Sequence, residues 1–141
     1  MHSYFEQLKD AAEILGLRCE ILTGEDASTI IETCFQKFKP GRKFGQLAID
    51  NENSIYLKLS DYEYTFSEKL DDEPVFVFFE QTREKVDVVF KLLNGKNFSR
   101  ILEECGILEY FLTNETVDYL IAANWYTIEI VGNKNFEDEK K

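Results

Sequence analysis

The chain has 141 residues, enough for one domain with one core, and its twelve Phe and seven Tyr supply the volume to fill it. Sixteen Lys and Arg stand against 27 Asp and Glu, a net charge of −11. A surface that negative repels nucleic acid and anionic membranes and attracts cationic proteins.

Ser3-Tyr4-Phe5-Glu6 has the form of a capping box. Tyr4, Phe5, Leu8, Ala11, Ala12 and Leu15 repeat at helical spacing until Gly16, so a helix is expected over Tyr4 to Leu15. A second helix comes after Thr23-Gly24, with Ala27, Ile30, Ile31, Cys34, Phe35 and Phe38 on one stripe and Pro40-Gly41 as its stop. Two such helices are expected to lie together on one face of the rest of the fold. The period then changes. Phe44 to Ile49 and Ser54 to Leu59 read as strands joined by the turn Asp50-Asn51-Glu52-Asn53, and Tyr62, Tyr64 and Phe66 continue the alternation.

Pro74-Val75-Phe76-Val77-Phe78-Phe79-Glu80 is the stretch on which the other elements pack. Its run is apolar on both alternating faces, which describes a strand inside a sheet, and Pro74 suits a strand's first position. Val86, Val88, Phe90 and Leu92 alternate with Asp87, Val89 and Lys91, so Arg83 to Leu93 reads as a strand or as a helix. After Asn94-Gly95, the residues Phe98, Ile101, Leu102 and Cys105 predict a short helix that stops at Gly106. Ile107 to Leu112 predicts a strand. Asn114 suits the cap of a fourth helix to Leu120 or Ala122, with Val117, Leu120 and Ile121 facing in. Trp125 to Val131 closes the fold as a strand ended by Gly132.

The expected class is α+β. One domain covers residues 1–132, with a mostly antiparallel central sheet of about five to six strands. Two N-terminal helices and two short C-terminal ones pack on the sheet, and a charged, frayed tail covers 133–141.

Chemistry is sparse. The single histidine, His2, lies at the start of the chain, which leaves Ser-His and Cys-His dyads without a base. Cys19, Cys34 and Cys105 have neither a disulfide framework nor zinc-ligand spacing. With no leader or long apolar run, they suit a reducing cytoplasm. Asn94-Gly95-Lys96-Asn97-Phe98-Ser99 lacks the upstream glycine of a phosphate loop. No cofactor or metal is expected.

Carboxylate pairs remain. Asp50 with Glu52, and Asp61 with Glu63 on one face of a strand, would suit a metal-assisted enzyme or a solvated edge. Aromatics beside acids suit a binding surface better. Asp61, Tyr62, Glu63, Tyr64, Asp71, Asp72 and Glu73 form one candidate surface; Glu109, Trp125 and Glu129 form another. Alternation places Trp125, Thr127 and Glu129 together on the polar face of the last strand, although Trp125 would also fill space beneath the fourth helix.

The succession of a strand, a short helix, Leu108-Glu109-Tyr110-Phe111-Leu112, Val117-Asp118-Tyr119-Leu120-Ile121 and Ile128-Glu129-Ile130-Val131-Gly132 is similar to small bacterial families. These families include immunity proteins of polymorphic and contact-dependent toxin systems. The resemblance covers roughly Pro74 to Gly132. Where those families carry a Glu-Asn-His-His-like segment, this chain has Ala122-Ala123-Asn124-Trp125, so no role for those histidines carries over. What the resemblance implies is a non-catalytic inhibitor that presents carboxylates and aromatic anchors to a basic toxin domain, a nuclease among the possibilities. The oligomeric state stays open between monomer and homodimer. A structural homodimer built through an edge strand is the further alternative.

Overall fold

The computed structural model describes residues 4–81, 87–106 and 109–139 of the chain. The helices and strands run α1 (Tyr4–Leu15), β1 (Cys19–Thr23), α2 (Gly24–Phe38), β2 (Ile55–Lys58), α3 (Leu59–Tyr62), β3 (Val75–Phe78), β4 (Val88–Leu92), α4 (Phe98–Glu104), β5 (Tyr110–Asn114), β6 (Leu120–Ala123) and β7 (Thr127–Val131). Turns of 3-10 helix occupy Phe66–Lys69, Gly95–Asn97 and Lys134–Glu139. The strands make one sheet in the order β1-β4-β3-β5-β6-β7-β2, and every neighbouring pair is antiparallel.

The run Val75–Phe78 shows why the sheet is covered twice. Val75 and Val77 point into one apolar layer with Leu8, Ala11 and Ala12 of α1 and Phe98, Ile101 and Leu102 of α4. Phe76 and Phe78 point into the other, with Ala27, Ile31 and Cys34 of α2 and with Leu47 and Ile49 of an irregular segment. All four strand residues are buried, as an interior strand requires. The result is an α+β domain with seven strands in its sheet and helices on both faces. No helix among the described residues is long and apolar enough to cross a membrane.

Several expectations are corrected. The two N-terminal helices lie on opposite faces, because Cys19–Thr23 between them is a strand that carries the chain round the sheet edge. Phe44 to Ile49 is not a strand; a single bridge, Arg42 to Ala48, is all the pairing it makes. The alternation through Tyr62, Tyr64 and Phe66 belongs to α3 and a 3-10 turn. The fourth helix is replaced by the β5–β6 hairpin. Asn114 Oδ1 does accept the Asp118 N–H at 2.8 Å, as a cap would, but Val117 adopts φ 53° and turns the chain back into the sheet. Leu120–Ala123 is then buried on both faces. The sheet has seven strands, more than expected.

Val88–Leu92 is a strand; residues 83–86 of that ambiguous stretch lie outside the described residues, as do Ile107, Leu108 and the Ser3 end of the capping box. In the expected tail, Phe136 is fully buried in the layer beneath α1 and α4.

Candidate partner-binding site

The site grows from a segment with no regular structure of its own. After α2 the chain turns at Lys39 (φ 45°) and runs from Gly41 to Ser54 across one end of the sheet and beneath α2. Its backbone groups need partners. Side chains on, or just outside the ends of, four strands adjacent in the sheet provide them. Gly45 N–H donates to Glu80 Oε2 at 3.3 Å, just beyond β3. Leu47 N–H donates to Glu109 Oε1 at 3.1 Å, just before β5. Asn124 Nδ2, just beyond β6, donates to the Leu47 carbonyl at 3.0 Å. On β7, Glu129 accepts the N–H groups of Ile49 at 2.7 Å and Asp50 at 2.8 Å, and the Ser54 hydroxyl. Gly45, at φ 74°, takes a left-handed turn that side-chain-bearing residues avoid.

Glu129 is therefore not a surface group. It is 3% exposed and both of its oxygens are occupied within the chain. Alternation placed it correctly opposite Ile128 and Ile130, but that face is covered by the 41–54 segment.

Glu80 and Glu109 differ from it. Each gives one oxygen to a loop amide, and among the described residues the other oxygen of each carries no hydrogen bond. Both line a concavity of about 200 Å³ with Tyr4, Gly45, Phe79 and Trp125. Asn124 builds the rim. Its Oδ1 accepts the N–H groups of Tyr126 at 2.8 Å and Thr127 at 3.0 Å, and its own N–H donates to the Thr127 carbonyl at 3.0 Å. This tight turn between β6 and β7 holds Trp125 61% and Tyr126 70% exposed. At that exposure Trp125 does not fill core space, and where a helix was expected to cover it the chain forms the β5–β6 hairpin. Tyr4 stacks at a tilt on Phe79, ring centres 5.1 Å apart, and stays exposed itself. Phe44 is exposed beside Gly45.

The remaining sequence candidates fall elsewhere. Asp61 and Glu63 flank the end of α3, where a separation of two residues sends side chains in divergent directions rather than onto one face. Tyr62 packs against the core, and Tyr64 is exposed near Lys96 and Arg100 in a concavity of about 510 Å³. Asp71, Asp72 and Glu73 lie at the opposite end of the sheet from Trp125. Asparagines hold all three: Asn135 Nδ2 donates to Asp71 at 3.1 Å, Asn94 Nδ2 to Asp72 at 3.1 Å and Asn114 Nδ2 to Glu73 at 3.3 Å. Beside them Tyr119 is buried, and burial, then Glu73, push its phenol up. Asp50 and Glu52 are exposed, and among the described residues no three His, Cys, Asp or Glu side chains gather in a way that would hold a metal ion.

Comparison of the chain with protein-family models, curated proteins and solved structures finds no match.

Of the residues that meet at this end of the sheet, the sequence pointed to Glu109 and Trp125 and missed Tyr4, Glu80, Phe44 and Tyr126. Glu80 had a signal, a carboxylate at the end of the most apolar run. Tyr4 had none, since it looks like one more residue of an amphipathic helix. Two of the three thiols, Cys34 and Cys19, are poor nucleophiles. Burial pushes Cys34 up to about 12, and burial followed by Glu13 raises Cys19.

Proposed function

We propose that the protein is an acidic, non-catalytic binding module of the immunity-protein kind, and that it neutralises a basic protein partner at the end of the sheet that carries Trp125. The observation that carries this reading is an indole left 61% exposed next to Glu80 and Glu109 in one concavity. Interface energy concentrates in aromatic anchors whose surroundings exclude water. Tyr4 adds apolar surface inside the concavity, Phe44 and Tyr126 are exposed next in sequence to its lining residues Gly45 and Trp125, and the two carboxylates meet Lys or Arg of the partner. The excess of 27 acidic over 16 basic residues speeds the encounter with a cationic surface.

Trp125 is the only tryptophan, so its emission reports on this site alone. The test is a fluorescence and calorimetric titration with an octa-arginine peptide as probe, followed by the basic product of a neighbouring gene. Binding should weaken as salt rises. Trp125→Ala should cost about 2 kcal/mol, roughly thirtyfold in Kd. Glu109→Gln should cost less. Binding that ignores both substitutions would move the site elsewhere, and binding indifferent to salt would remove the charge argument.

A further inference from the structure

The sheet has two outer strands, β1 and β2, and they are protected differently. β2 carries Lys58 and runs beside the Lys134–Glu139 turn. β1, Cys-Glu-Ile-Leu-Thr, has no lysine or proline, and its pairing with β4 runs without a bulge from Cys19 to Thr23. Natural sheets usually blunt an open edge by one of those devices.

The ladder shows which of its backbone groups are open. Leu93 N–H donates to the Arg18 carbonyl at 3.1 Å and Gly24 N–H to the Asp87 carbonyl at 3.2 Å. Glu20 faces Lys91 and Leu22 faces Val89 in the same register. Those residues are the bonded partners of β4, so alternation turns the N–H and C=O of Cys19 and Ile21, and the N–H of Thr23, outward. Among the described residues, β4 is the only strand paired with β1. Apolar surface borders the edge. Ile21 is 36% exposed, and Ile14, in the last turn of the helix lying against β1, is 73% exposed.

We propose that β1 pairs with β1 of a second copy of this chain, antiparallel about a two-fold axis through Ile21, so that two sheets become one. The register is self-complementary. Ile21 faces Ile21, and Cys19 faces Thr23, which closes about four N–H···O bonds. Glu20 faces Leu22, so no like charges oppose one another. Arg18 faces Gly24 and lies beside Glu25 and Asp26, the acidic first turn of the second copy's α2. The net charge of −11 on each copy opposes the pairing at long range, so added salt strengthens it. The Trp125 turn lies on the far side of the sheet and stays open in the dimer, and this inference stands or falls apart from the proposed function.

The test is sedimentation of the full chain over a concentration series, at low and high salt. A monomer–dimer equilibrium that tightens with salt is expected. Ile21→Pro removes an outward N–H and no bond to β4, and Ile21→Lys sets two charges across the axis on an already exposed side chain. Each should weaken the dimer tenfold or more, and the lysine variant serves should the proline variant fail to fold. Thr23→Cys places a thiol opposite Cys19 of the second copy at about 5.5 Å between Cα atoms, within disulfide range. Mild oxidation should then cross-link those positions, as read by peptide mapping. A monomer at every concentration, a dimer indifferent to Ile21→Lys, or cross-links that avoid the Cys19–Thr23 pair would overturn the proposal.

Discussion

Glu129 sits on β7 with three donors on its two oxygens, and it shows how much a single acidic side chain can organise here. A carboxylate accepts only, which is what the Ile49 and Asp50 amides and the Ser54 hydroxyl need. Glu129→Gln presents an amide group to donors and should cost about 1–3 kcal/mol. Glu129→Ala leaves buried N–H groups unpaired and should cost about 3 kcal/mol or more. Urea denaturation measures both, and proteolysis within residues 41–54 should quicken in step. Cys34 makes a different prediction. Its thiol is pushed by burial from its ordinary value near 9 up to about 12, against the opposing pull of Thr113 and Lys37. Between those values the unfolded chain gives up the proton and the folded chain keeps it. Stability is therefore complete below pH 9 and falls as pH rises toward 12, by at most about 1.4 kcal/mol per pH unit from this group. Denaturation midpoints taken at successive alkaline pH values should fall, and Cys34→Ala should flatten part of the slope. Tyr110 and Tyr119, raised chiefly by burial, act in the same direction and keep the rest.

Among the elements, those with an unambiguous period were legible from residues alone. α1 and α2 each present one apolar stripe with a glycine or a Pro-Gly at the end, and both occur where expected. The run Val75–Phe78 is interior because both its faces are apolar. The misreadings share a cause, which is that the deciding partner was distant in sequence. Val117, Leu120 and Ile121 fit a helix and a strand equally; the pairing of β6 with β5 and β7 decides. Phe44 to Ile49 alternates like a strand, yet its amides go to carboxylates from three parts of the chain. Cys19–Thr23 is brief and half-exposed, so its pattern was too weak to detect. The candidate site was half-legible for the same reason. Trp125 stood out by type and Glu109 by charge, while Tyr4 and Glu80 join them only once the sheet closes.

Across the whole molecule, the inner strands β4-β3-β5-β6-β7 all come from Val75 onward, and both outer strands come from before it. The β5–β6–β7 meander is local, whereas Cys19 must find Leu92 and Ile55 must find Ile130. Long loops close late because their entropy is spent before any contact rewards it. Pulse-labelled hydrogen exchange during refolding should therefore protect amides of β5, β6 and β7 before those of β1 and β2; simultaneous protection would contradict this order. A ribosome presents the same segments in the reverse sequence. The leading half of the nascent polypeptide emerges with its strand neighbours still untranslated, and Ile55 stays without its mate until Ile130 has been added.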